Sequence, residues 1–118
     1  MLNFCVLGPV EVRSQAKTFR VKGTLQRTLL ATLVVNARKF VTSDELIDEL
    51  WGDGPPDHVD NALQAHISRL RRNLAALEPG ATRSRLTTRQ SGYYLLAEDE
   101  ETTERSRADA AHAQGARK

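Results

Sequence analysis

The chain has 118 residues, of which 40% are hydrophobic, 27% charged and 5% aromatic, a balance that suits one globular domain and leaves too little chain for two. Its apolar runs fall far short of the ~20 residues a membrane helix needs, its start lacks a cationic leader, and its lone Cys5 excludes an intrachain disulfide, so a cytoplasmic protein with no membrane partner is expected. The formal charge of +2 averages unlike parts: residues 1–60 sum to −1, residues 98–118 to −2, and residues 61–97 hold six arginines against the single Glu78.

In chain order, residues 2–6, 10–12 and 18–21 are short β-rich runs broken by Gly8-Pro9 and closed by Gly23, which predicts an antiparallel β-meander. Cys5 lies in the first run, where a thiol behaves as a small hydrophobe. From residue 24 the period changes. Leu25, Leu29, Leu33 and Ala37 recur every fourth residue, with Leu30 and Val34 beside them, so a first helix is predicted over 24–36. Phe40-Val41 reads as a two-residue extended link. Thr42-Ser43-Asp44-Glu45 is a capping box whose acids complement the helix dipole, and Leu46, Ile47, Leu50 and Trp51 give the second helix a buried stripe.

Gly52-Asp53-Gly54-Pro55-Pro56 breaks the helix. Asp57 then reads as an N-cap with Asp60 three positions on, and a third helix is predicted over 57–77, ended by Pro79-Gly80. Residues 85–88 and 93–96 are strand-like on either side of the turn Arg89-Gln90-Ser91-Gly92, a β-hairpin. Beyond Leu96 no large aliphatic residue remains, and residues 98–118 are expected to form a polar, disordered tail behind a domain spanning 1–97.

The fold class expected is therefore α+β: an N-terminal antiparallel meander, three helices and a C-terminal hairpin wing, the order of a winged helix-turn-helix. At about 100° per residue, Val59, Leu63, Ile67, Leu70, Leu74 and Leu77 fall in one sector of about 80° that faces the core. Asn61, Ala65, Ser68 and Arg72 lie opposite, flanked by Gln64, Arg69 and Arg71. That face offers amides, a hydroxyl and guanidinium groups with no carboxylate after Asp60. Arginine pairs with guanine and phosphate, asparagine and glutamine pair with adenine, and serine reaches either base. Any amphipathic helix turns polar groups to water, but an ordinary surface mixes both signs, whereas here helix and hairpin together are almost purely basic. The hairpin tip adds Thr87, Thr88, Arg89, Gln90 and Ser91, suited to backbone or minor-groove contact.

Several stretches then carry a resemblance to a known family: Leu7-Gly8-Pro9-Val10-Glu11-Val12, Gln26-Arg27-Thr28-Leu29-Leu30, Asp44-Glu45-Leu46-Ile47-Asp48-Glu49-Leu50-Trp51-Gly52 with Pro55-Pro56, Ile67-Ser68-Arg69-Leu70-Arg71-Arg72-Asn73-Leu74, and Gly92-Tyr93-Tyr94-Leu95. The chain resembles the N-terminal DNA-binding domain of the Streptomyces antibiotic regulatory proteins (SARP), an OmpR/PhoB-type winged helix. The resemblance implies a sequence-specific regulator of transcription on double-stranded DNA, with control of secondary metabolism and two copies on direct repeats. It implies a third helix in the major groove through Asn61, Gln64, Ala65, Ser68, Arg69 and Arg71, with His66 at a phosphate and Thr87 and Arg89 on the wing. For His66 two readings stay open, a packed neutral ring and a phosphate contact. The resemblance also makes Asp53 and Asp57 candidates for contact with RNA polymerase, often its sigma subunit; a tight connection without a partner is the other reading. Relatives of this kind continue into a transcriptional activation domain after the wing, where this chain runs into Glu98-Asp99-Glu100-Glu101. A winged helix acting through protein contacts, such as a truncated competitor of a longer regulator, is therefore the alternative function. Three scattered histidines and one cysteine show no metal-ligand spacing, and no nucleophile elbow or phosphate loop is present. No cofactor, metal site or catalytic residue is expected.

Overall fold

The apolar periodicities resolve, in the computed structural model, into six strands and three helices among the residues it describes, 2–6, 9–15, 17–81 and 83–97. The expected disordered tail at 98–118 lies outside them. Strands β1 (Asn3–Cys5), β2 (Glu11–Arg13) and β3 (Thr18–Arg20) form an antiparallel meander. Phe4 stands opposite Val12 and Val12 opposite Phe19; Phe4 and Val12 are fully buried beneath the sheet. Burial pushes the Cys5 thiol up, consistent with an apolar role. The largely buried Glu11 accepts from the Arg13 guanidinium two residues along the same strand, Nε to Oε1 2.9 Å.

Helices α1 (Thr24–Val35), α2 (Ser43–Trp51) and α3 (Val59–Leu77) pack around a common core. Leu29, Leu30 and Leu33 come from α1, Leu46 from α2, and Leu63, Ile67, Leu70, Leu74 and Leu77 from α3. Each fully buried leucine or isoleucine contributes about 2 kcal/mol of transfer free energy, well above the spread of intrinsic helix propensity. The stripe expected on α3 is therefore what seats that helix, except that Val59 at its start is only half-buried. Ile47, Leu50 and Trp51 of α2 are only partly buried, at the margin of the same cluster. The capping box forms in part as read: Thr42 is the N-cap of α2 and its Oγ1 accepts from the Glu45 amide at 3.1 Å.

Three local expectations are corrected. Residues 40–42 are not a link but a strand, β4 (Phe40–Thr42), which pairs antiparallel with β6 (Gly92–Leu95), so that β4, β6 and β5 (Leu86–Arg89) form a second sheet in that order. Its partner lies some fifty residues away in sequence, too far for a local pattern to announce. Arg38, in the left-handed region at φ 63°, turns the chain into this strand, and its amide donates to the Leu95 carbonyl at 2.9 Å. The third helix starts at Val59 rather than residue 57, and Asp57 does not cap it. The cap position is His58, itself left-handed at φ 55°, which makes no side-chain capping bond while its carbonyl accepts from the Asn61 and Ala62 amides. The loop from Gly52 to His58 thus meets the helix through a backbone reversal. The hairpin also closes more tightly than read. Arg89 pairs with Gly92, leaving Gln90 and Ser91 as a two-residue turn.

His66 lies where all three helices meet. The Gln26 side-chain nitrogen, on α1, is 3.1 Å from His66 Nδ1 and donates to the His66 carbonyl at 2.9 Å. The Trp51 ring, on α2, tilts against the imidazole with centroids 6.1 Å apart. An amide nitrogen carries two hydrogens and serves both acceptors, which assigns His66 the tautomer protonated on Nε2. A second proton on Nδ1 would displace that contact. Burial, then the Arg69 charge, holds the imidazole below its ordinary pKa.

Gly92 is the tightest point of the second sheet. A Cβ there would strike the Val41 carbonyl oxygen and lie 2.6 Å from Phe40 Cζ and 2.8 Å from Thr42 Cα. Gly92→Ala is expected to lower unfolding stability by about 1–3 kcal/mol in chemical denaturation; unchanged stability would show that β4 can stand further off. For His66 the folded-state pKa lies below the unfolded one, so its contribution to stability is present above about pH 6.5 and fades as pH falls. Between about pH 7.5 and pH 5.5, His66→Leu should lose less of its melting temperature than the parent chain; equal losses would place no part of the acid sensitivity at His66.

Candidate nucleic-acid interface

The buried stripe of α3 fixes what that helix shows to solvent. Asn61, Gln64, Ala65, Ser68, Arg69 and Arg72 are all exposed on its outer side, the residues that the periodicity places there. His66 is half-buried, engaged with Gln26 and Trp51 rather than turned outward. Gln26, only 4% exposed, is a residue that sequence reasoning passed over; a polar side chain bordering the apolar stripe of α1 was the one available hint.

The arginines divide into two groups. Arg69, Arg72, Arg83 and Arg89 are exposed. The other two join α3 to the wing. Arg71 Nε donates to the Leu86 carbonyl at 3.0 Å and Nη2 to Thr88 Oγ1 at 2.6 Å. Arg85, just before β5, holds both Glu78 oxygens, Nε to Oε1 2.7 Å and Nη2 to Oε2 2.8 Å, while Nη1 reaches the Leu96 carbonyl at 3.0 Å. Both side chains of that ion pair are more than four-fifths buried, and its two parallel bonds have the fork geometry that makes arginine–carboxylate pairs specific. The single acid among six arginines is thus spent at the root of the wing, and among the described residues no carboxylate pairs with the arginines of the outward face.

Wing residues separate by strand alternation. Thr88 stands opposite the buried Tyr93, on the core side where Arg71 meets it, whereas Thr87 stands opposite Tyr94 on the other face of the sheet. Arg89 lies beside the turn and is exposed. The wing's turn is fastened to α2, since the Ser43 amide donates to the Ser91 carbonyl at 2.8 Å. Asp44, Glu45, Asp48 and Glu49 are exposed on α2, so the second helix carries acidic charge where the outer side of the third carries arginines. Asp53 and Asp57 are exposed in the connecting loop. Among the described residues no group of three or more potential ligands gathers to hold a metal, and no helix is long and apolar enough to cross a membrane.

Known proteins share this arrangement. Residues 22–95 match the family described as "Transcriptional regulatory protein, C terminal". The chain is 45% identical over 69 residues to the transcriptional regulator RedD of Streptomyces coelicolor, covering 58% of this chain and 20% of RedD. It is 38% identical over 92 residues to the regulatory protein AfsR of the same organism, covering 78% of this chain and 9% of AfsR. The chain therefore spans a small part of the length of either relative. Among solved structures, Mycobacterium tuberculosis EmbR, in a complex with a low-affinity phosphopeptide, superposes with a TM-score of 0.75 at 29% identity, covering 86% of this chain and 26% of that one. With the helix order and the wing sheet in agreement, the chain belongs to the OmpR/PhoB-type family of winged-helix DNA-binding transcriptional regulators, in its SARP branch.

Proposed function

We propose that the chain reads specific sequences of double-stranded DNA, with α3 in the major groove and the wing at the adjacent minor groove. The observation that carries this is the outer face of α3: six exposed residues with amide, hydroxyl, methyl and guanidinium groups and no carboxylate after Asp60, beside a wing tied to the same helix. Asn61, Gln64, Ser68 and Arg69 have the chemistry of base readout, and Ala65 that of contact with a thymine methyl. Arg72, Thr87 and Arg89 supply phosphate and minor-groove contacts. His66 acts from within, setting the seat of α3 on α1 and α2. Resemblance to SARP regulators extends the proposal to control of secondary metabolism by two copies on direct repeats.

The exposed loop from Gly52 to His58 supports contact with RNA polymerase, its sigma subunit included, through Asp53 and Asp57. Because Asp57 does not cap α3, both residues can be changed without removing a helix cap.

Two outcomes are expected. DNA affinity should fall steeply with salt, by close to one log unit per log unit of salt for each phosphate neutralised, and Arg69→Ala should cost about 1–3 kcal/mol on a selected site with a smaller loss on random duplex. Salt-insensitive binding would remove the phosphate contacts, and an equal loss on both duplexes would remove base readout from Arg69. In a reconstituted transcription assay, Asp53→Ala with Asp57→Ala should lower output while DNA retention stays at the parent level; a parallel loss of both would place the loop in DNA binding instead.

A further inference from the structure

Arg71 sits in the most basic stretch of the chain, yet it points elsewhere than its neighbours. Two residues along a helix are about 160° apart around its axis, so Arg69 and Arg71 lie on opposite flanks of α3. The flank of Arg71 is the one that carries Glu78 and meets the wing. Its guanidinium is satisfied by neutral acceptors, the Leu86 carbonyl and Thr88 Oγ1, at the first and third residues of a four-residue strand. Among the described residues that strand is an edge, with β6 as its one neighbour, and its last residue is Arg89. Arg85 and Glu78 fasten the root of the same strand. The wing is thus held to the recognition helix at two points, and the one nearer the tip is Arg71.

We infer that Arg71 is a positioning residue for DNA binding: it bridges α3 and β5 so that Arg89 at the wing tip and the outward face of α3 meet one duplex in a fixed relative geometry. This rests on the DNA-binding reading above. The physical gain is preorganisation, since an edge strand left to sway must be ordered at the moment of binding. Only arginine fills the role. Its planar fork spans a carbonyl and a hydroxyl at once, whereas lysine keeps the charge but presents one compact ammonium. Thr88 is the matching acceptor, and Thr88→Val removes it without altering charge or strand propensity.

The test pairs a measurement on the free protein with a cycle on DNA. Backbone amide exchange across 86–89 should accelerate in both Arg71→Lys and Thr88→Val, while exchange in the middle of α3 stays at the parent rate. The DNA probe is a duplex selected by the parent chain from a random-sequence pool. On it, Arg71→Lys, Thr88→Val and Arg89→Ala are each expected to weaken binding about tenfold, and Arg71→Lys combined with Arg89→Ala to weaken it about tenfold again in total, not a hundredfold, because the tip contact is already lost once the wing is released. Multiplying losses would overturn the proposal and give Arg71 a DNA contact of its own. Unchanged exchange across 86–89, or full affinity in Thr88→Val, would also overturn it. If the parent chain selects no duplex and shows no salt-dependent retention, the DNA-binding reading falls first and this inference with it; multiplying losses on a duplex that the parent binds remove the inference alone.

Discussion

Everything the molecule shows to a partner depends on one partition, the burial of Leu63, Ile67, Leu70, Leu74 and Leu77 along a single stripe of α3. A helix seated on five apolar side chains has its rotation fixed, and with it the identity of every residue on the far side. A turn of α3 by one residue would bring Ser68 or Arg71 toward the core and force unpaired polar groups into it, at a cost that no outward contact offsets. The second helix and Gln26 of the first complete the seat from the side, through Trp51 and the His66 imidazole.

The second sheet then converts a fixed helix into a fixed two-part surface. β5 would be a loosely attached edge if it depended on β6 alone. Side chains from α3 and from the sheet's own root supply what the strand ladder cannot, and the ion pair between Glu78 and Arg85 does so away from solvent, where loss of either partner would strand a charge. Charge is distributed with similar economy: four exposed acids lie on α2, exposed guanidinium groups on the outer face of α3 and the wing, and Glu78 is consumed internally by Arg85.

Much of this was legible in the sequence, and the boundary between what was and was not follows from distance along the chain. Helical periodicity is written within a dozen residues, so α1, α2 and the core face of α3 could be read directly, as could Thr42 as a cap and the outward placement of Asn61, Ala65, Ser68 and Arg72. Strand β4 could not, since three residues carry no pattern and its partner Gly92–Leu95 lies far along the chain. The start of α3 misled because Asp57 and Asp60 form a plausible local signal that the backbone reversal at His58 overrides. Arg71 read as a DNA-facing residue and Arg85 as one basic residue among six, because their acceptors, strand carbonyls, a threonine hydroxyl and the lone Glu78, are defined only once the hairpin has folded back. The packing partner of His66 was likewise out of reach of a local pattern, since Gln26 lies on α1, forty residues upstream.

The bond from the Ser43 amide to the Ser91 carbonyl has a bearing on how such a domain can diversify. Hairpin tips are ordinarily where chains accept insertions at little cost, because the turn answers only to the two strands it joins. Here the turn also supplies an acceptor to one of the first amides of α2, a donor that the helix cannot satisfy itself. Lengthening the wing would therefore withdraw a partner from another element. Variation at the wing tip is thereby confined to changes of side chain, with the number of residues held constant by the first turn of α2.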